Sequence, residues 1–496
     1  GFITTRAFVI FGGSSLLFCY LSWFIRNGTI NAILMSFFYC FILLWMEKDN
    51  KELVSKLIVV AIPIMLQNLV QSGLGFLDTL MIGQLGEAEV AAIGGANQFF
   101  FFIQLAFFGL NSGGSIFLAQ YFGAKNMDGM RKVTTFTTSI SIIIGALGWM
   151  FVSLFPSSFM SLFSQEEKVI ETGVVYLKTV GISYIFAGFS MMYSGAFRAM
   201  EDAKTPMYTT ILSLILNAIL NAFLIFGLGP FPRLGVFGGA LATVISRLME
   251  ALLLIIISIK RKAPFVTKRR EDFKWDKIFI KDMGTTGLPA FLHETLWSIG
   301  AILYKVAYSS LGTAAFAAFN IDMSIQDLFF VACLGLANGS GIILGNIIGE
   351  GDKEKAQRWS GKIIIYSLFI GIVMGALELF LSPFMINLYN ISLEARSVAT
   401  KALFSLSLMI PFEMTGVVIM VGILRSGGDS RYSMLSEIIP MYLLSIPLAF
   451  IGTKYLHLSL WAILLFKLSE IIPKMIIGGI RVRSGKWIKD LTLGER

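Results

Sequence analysis

The 496-residue sequence is short of charge, cysteine and histidine, and each shortage removes a class of protein. Charged residues make up 14% of the chain, against roughly 25% in ordinary globular domains. With 56% hydrophobic residues and a mean hydropathy of +0.76, there is too little polar surface for a soluble protein. The three cysteines, Cys19, Cys40 and Cys333, stand singly in apolar runs. They lack the spacing of a disulfide framework or metal site and read as buried, inert thiols. Two histidines, His293 and His457, give little material for metal or triad chemistry. HETLW is not HExxH, and there is no GxSxG elbow, P-loop or GxGxxG turn in a strand–helix setting. A membrane-embedded enzyme is therefore not the expected class, and no organic cofactor is expected. Alternation at period two is also missing, which argues against a transmembrane barrel.

What the sequence has is long apolar runs, and about 20 such residues cross a bilayer as a helix. From Lys51 onward twelve spans are expected, at 55–82, 92–120, 133–155, 169–196, 207–227, 236–259, 282–310, 314–346, 360–382, 396–424, 432–452 and 460–479. Lysine and arginine gather in alternate connections, whereas Lys168, Arg233 and Lys454 lie in the opposite ones. The positive-inside rule puts the basic loops and both ends of the twelve-span unit in the cytoplasm. The net charge of +9 is thereby explained without nucleic acid. The basic stretch KRKAPFVTKRREDFKWDK, which divides the spans six and six, reads as a solvated linker within reach of anionic lipid headgroups.

The two halves are related. An offset of 226 carries Pro63 to Pro289, Gly109 to Gly335, Gly113 to Gly339 and Gly123 to Gly349. An offset of 227 carries Arg198 and Asp202 to Arg425 and Asp429. Six spans per half is an even number, so the repeats are expected to be parallel about an axis normal to the bilayer, with a cavity between them.

Ionisable groups at membrane depth are costly unless paired or wet, so they are the functional candidates. Arg247/Glu250 and Lys467/Glu470 stand three residues apart and read as structural ion pairs. Glu437 is expected to reach the interface, Glu378 lies one turn from an outer end, and Asp322 and Asp327, in the outer half of span eight, are candidates for lining the cavity without an assigned role. Asp78, Glu294 and Glu413 remain. Gln67, Gln71, Gly75 and Asp78 form one polar stripe. Asn217 and Asn221, with Thr243, are expected at similar depth. Together they form an oxygen set suited to sodium or to a proton-switched network, or else ordinary interhelical hydrogen bonds. Glu294 and Glu413 fall at equal depth, so one should hold a proton or both should share a cation. His293 neighbours Glu294 and can be either structural or a relay.

These residues resemble the multidrug and toxic compound extrusion family. The resemblance rests on AIPIMLQNLVQSGLGFLDTLMIGQLG, Asn217/Asn221 before IFGLG, GVFGGALATVISR, GLPAFLHETLW and ILRSGGDS, in that order. It implies an all-α polytopic membrane protein of twelve helices, in two six-helix lobes around a V-shaped cavity. It also implies export of small, often cationic or amphipathic organic compounds in exchange for sodium ions or protons. Asp78, Asn217, Asn221 and Thr243 match the family's amino-lobe cation site, binding metal if sodium is the coupling ion. Glu294 matches its span-seven acid, and Glu413 stands where the sodium-coupled branch has aspartate. Gln67, Gln71, Asp78, Glu294 and Glu413 are the expected substrate-lining residues. The expected divisions are an extension at 1–45, a lobe at 46–259, a linker at 260–281, a lobe at 282–480 and a cytoplasmic tail at 481–496. The extension reads as an extra hairpin or, preferably, as sequence upstream of a start at Met46. A monomer in the plasma membrane is expected, with small molecules and lipids as partners. A flippase of lipid-linked compounds on the same scaffold is the alternative. In the repeat alignment Asp78 faces Tyr304 and Glu294 faces Asn68, so coupling is expected to differ between the lobes.

Overall fold

Apolar runs become helices because backbone surrounded by hydrocarbon must satisfy its own N–H and C=O groups. The computed structural model describes residues 48–492 except 230, 268 and 390, and not the side chains of 48, 74–80 and 314. The expected extension at 1–45 and Met46 thus lie outside the described residues. The chain divides into compact units Gly1–Ile58 and Val59–Arg496, and the second holds the apolar helices from Val59 onward.

Helix α1 is Lys48–Gly83, α2 Glu87–Gly123 and α3 Met127–Leu154. Next come α4 Glu167–Val180, α5 Ser183–Ala199, α6 Lys204–Phe226 and α7 Gly235–Lys260. After the basic connection come α8 Lys277–Ser309, α9 Thr313–Gly349, α10 Lys353–Ile386 and α11 Leu393–Val417. A wide π-helical stretch, Val418–Leu424, extends α11. Finally α12 is Ser430–Pro440, α13 Ile446–Lys454 and α14 Leu468–Arg483.

Among the described residues nine helical stretches are long and apolar enough to cross a membrane, or ten if α4 and α5, bent by 49°, form one span. The chain is an all-helical, multi-pass membrane protein. Two expected crossings fall short of that measure, α8 and the segment from Leu460 to Arg483. Helix α8 carries His293, Glu294 and Lys305 within its apolar run, and the last segment is broken by a 3-10 turn at Leu465–Lys467 that leaves α14 only 16 residues long.

Glycine lets the helices approach where the offset of 226 predicts. A Cβ at Gly113 would lie 2.6 Å from the Gly287 Cα, and one at Gly339 would lie 3.1 Å from Ala61. Gly109 faces Phe291 as Gly335 faces Met65, and Gly123 meets the Asn346 carbonyl as Gly349 meets that of Gln120. Each contact maps onto its counterpart under the same shift. Helix caps follow it too, since Asn126 accepts from the Gly129 N–H and Asp352 from the Lys355 N–H. The Gly123 and Gly349 crossings draw α2 and α9 together at their basic-loop ends. Gly349→Val is expected to cost roughly 1–3 kcal/mol, because backbone oxygen cannot move aside as a side chain does. A lowered melting temperature in detergent would register it.

The basic connection after α7 is folded. Phe265 is buried, and Thr135 Oγ1 donates to the Asp272 carbonyl at 2.6 Å. The carboxy-terminal stretch also packs. Trp487 is buried and donates from Nε1 to Gln357 Oε1 at 3.0 Å. Gln120 on α2 donates to the Ser426 and Lys489 carbonyls and accepts from the Leu491 N–H. Residues 487–491 therefore tie the end of α2 to the turn before α12.

Candidate functional site

A cavity of about 500 Å³ opens between α1, α2, α5, α9 and the π-helical stretch. Its uncharged polar lining is five amides, Asn68, Gln71, Gln104, Asn111 and Asn338, and four serines, with Phe108 and Phe330 supplying flat apolar surface. Three charged residues face it, Arg198, Arg425 and Asp327. Amides both donate and accept, and with aromatic faces they suit ligands of varied shape. Gln71 lines the cavity, whereas Gln67, Glu294 and Glu413 are not among its lining residues. Gln67 donates to Thr210 Oγ1 at 2.9 Å, and Thr210 donates to Glu250 Oε1 at 2.7 Å. The expected Arg247–Glu250 ion pair is present at 3.1 Å.

Behind Arg425 lies a buried chain of charges. Its Nη1 donates to Glu294 Oε1 at 2.7 Å and to Ser112 Oγ on α2 at 3.0 Å. Its Nη2 meets His293 Nδ1. On the far side of the imidazole, Nε2 lies 2.9 Å from Glu437 Oε2. Lys474 Nζ lies 3.0 Å from Glu437 Oε1 and 4.0 Å from Glu470 Oε1, and Tyr304 donates to Glu470 Oε2 at 2.6 Å. His293, Glu437, Glu470 and Lys474 are all buried. Pro289 in α8 and the π-helical stretch before Arg425 mark where the helices depart from regular hydrogen bonding.

Three expectations change. Lys467 lies 3.5 Å from Glu413, not against Glu470. Glu437 does not reach an interface but is held inside by Lys474 and His293. Glu294 and Glu413 take separate cationic partners, Arg425 and Lys467. His293 bridges Arg425 and Glu437, a role that its 100° separation from Glu294 around the helix permits. Local spacing favours the three-residue pair, but packing between α11 and the start of α14 overrides it.

In the amino-terminal half, Asn217 donates to Ser246 Oγ at 3.3 Å, and Asn221 donates to Asn217 Oδ1 at 3.3 Å. The Thr243 hydroxyl is turned to the Gly239 carbonyl. Asp78 belongs to α1, with its side chain outside the described residues. No group of three or more His, Cys, Asp or Glu able to hold a metal occurs among the described residues. The oxygens that the described residues offer here are the neutral ones of Asn217, Asn221 and Thr243.

Sequence reasoning missed Arg198, Arg425 and Lys474. The first two carried a signal, their match under the repeat offset, but they read as loop residues. Lys474 falls inside the expected span 460–479, and no spacing rule pairs it with Glu437.

A profile of the MatE family matches the chain twice, over residues 63–223 and 289–451, and the two starts differ by the same 226 residues. A probable multidrug resistance protein NorM of Thermotoga maritima is 26% identical over 457 residues, covering 90% of this chain and 96% of that protein. A probable multidrug resistance protein YoeA of Bacillus subtilis is 26% identical over 402 residues, covering 80% and 87%. Among solved structures, a MATE protein in complex with MaL6 superposes with a TM-score of 0.78 at 22% identity, covering 87% of this chain and 96% of that one. A MOP superfamily transporter from Pyrococcus furiosus gives 0.75 at 22% identity, covering 87% and 94%; its description refers to a reverse polarity of the binding pocket.

Proposed function

Since the chain belongs to the MatE family, a family of membrane transporters and not enzymes, we propose that it is a multidrug efflux antiporter. It exports small, often cationic or amphipathic organic compounds in exchange for sodium ions or protons, from a plasma membrane with the basic loops in the cytoplasm. The 46–259 and 282–480 segments act as two lobes. Asp78, Asn217, Asn221 and Thr243 serve one cation site, and Glu294 and Glu413 serve the other lobe.

The observation that carries this reading is the placement of Arg425, which lines the cavity while its Nη1 holds Glu294 and Ser112. While Glu294 is ionised, the guanidinium is neutralised, and the cavity tolerates a cationic cargo. A proton or metal cation arriving at Glu294 removes that neutralisation. Arg425 then presents its full charge to the cavity and repels the cargo, so the two ligands exclude each other as antiport requires. The same event loosens the link from Arg425 through Ser112 to α2, which joins the two halves of the molecule.

A second reading has support from Arg198. It faces the cavity, donates to the Ser194 carbonyl and has no carboxylate partner within ion-pair distance among the described residues. Two cavity arginines would suit an anionic headgroup, as a flippase of lipid-linked compounds requires. Proteoliposome assays separate the readings. A fluorescent cationic dye should leave the vesicles under an imposed sodium or proton gradient, and an anionic amphiphile should not. Efflux of the anion alone would reverse the choice, and efflux of neither would remove both readings.

A further inference from the structure

Asp322 on α9 and Glu378 on α10 are each 0% exposed. Both carboxylate oxygens of Asp322, and Oε1 of Glu378, have no hydrogen-bond partner. Ser407 on α11 donates to Glu378 Oε2 at 3.0 Å. The contact is close because Gly371, Gly375 and Glu378 share one face of α10. A Cβ at Gly375 would lie 2.5 Å from the Ser407 carbonyl oxygen, and one at Gly371 would lie 2.6 Å from the Pro411 Cα. Glu378 acts electrostatically on Asp322, and Glu413 acts on Glu378. No Lys, Arg or His among the described residues is ion-paired with either acid. Lys467 is ion-paired with Glu413 instead, at 3.5 Å.

Two ionised carboxylates cannot share an apolar interior without a counter-charge. A proton held by the pair removes the conflict and supplies the missing donor. We propose that Asp322, Glu378 and the Ser407 hydroxyl form a proton-binding site in the carboxy-terminal half, separate from Glu294 and Glu413. The site has a polar neighbour. Gln326, four residues from Asp322 and on the same helix face, lines a small pocket with Glu413. The proton arrives and leaves as H⁺, and only a carboxylic O–H bond forms or breaks.

Protonation of the pair stands on burial and geometry alone; a part in transport rests on the antiport reading above. Infrared spectroscopy of the purified full-length chain tests the first part without transport. At neutral pH the unaltered protein should show a protonated carboxylic acid carbonyl band that Asp322→Asn/Glu378→Gln lacks. Asp322→Asn alone removes the like-charged neighbour, and the proton affinity of the remaining acid should fall by about tenfold or more. Asp322→Glu and Glu378→Asp should keep the band. An unchanged band and titration in the doubly substituted protein would overturn the proposal. So would a band that sodium abolishes at constant pH. Proton-gradient-driven dye efflux should drop at least tenfold in Asp322→Asn, and retention of full proton-driven efflux would show that the site takes no part in coupling.

Discussion

Protein carrying Lys474→Met is expected to lose about 3–5 kcal/mol of stability, the typical cost of removing one partner from a buried ion pair. Lys474 is 1% exposed and is the cation set between Glu437 and Glu470. Methionine matches its length but offers no charge. Glu437 would keep only His293, and Glu470 only the Tyr304 hydroxyl. Loss of the folded, monodisperse species on heating in detergent measures the effect. The physical cause is separable, because adding Glu437→Gln and Glu470→Gln to Lys474→Met should recover much of the loss. A cavity or packing defect would instead persist in the triple variant. Melting of Lys474→Met at the same temperature as the unaltered chain would show that the ion cluster contributes nothing to stability.

Glu294→Gln is expected to abolish the exclusion between cargo and coupling cation while leaving the fold intact. Glutamine preserves shape and can still hydrogen-bond Arg425, but it cannot neutralise it. The guanidinium would then face the cavity with its charge exposed at every pH, and cationic dye affinity should fall by roughly 5–150-fold, the range of a coupling of about 1–3 kcal/mol. Arg425→Met should do the reverse. Dye would still bind, but cation-driven efflux would slow, because nothing links Glu294 to the cavity or to Ser112 on α2. In Glu294→Gln/Arg425→Met, dye binding should return without coupling. The split between binding and efflux distinguishes this arrangement from one in which both residues are structural.

How far the sequence leads depends on the range of the interaction. The offset between Gly109 and Gly335 could be read from the chain because a close helix crossing tolerates little beyond glycine, and the same pairs meet Phe291 and Met65 in the fold. Membrane depth could be read as well, since hydropathy and helical rise are local properties. Charge pairing could not. Lys467 has Glu470 three residues away, yet it lies against Glu413, fifty-four positions earlier. Glu437 meets Lys474 across two helices that no spacing rule joins. Asp322 and Glu378 show the opposite failure, for nothing in the sequence marks a carboxylate as lacking a partner. That information exists only once α9, α10 and α11 are packed.

The dissociation constant of a fluorescent cationic dye for the purified chain, measured in the unaltered protein, in Glu294→Gln and in Glu294→Gln/Arg425→Met, tests the Arg425 switch most directly. The unaltered protein should bind the dye, and Glu294→Gln should bind it roughly 5–150-fold more weakly, because nothing then neutralises the guanidinium that lines the cavity. The double substitution should restore binding. Tight binding by Glu294→Gln, or weak binding that persists in the double variant, would contradict coupling through this salt bridge.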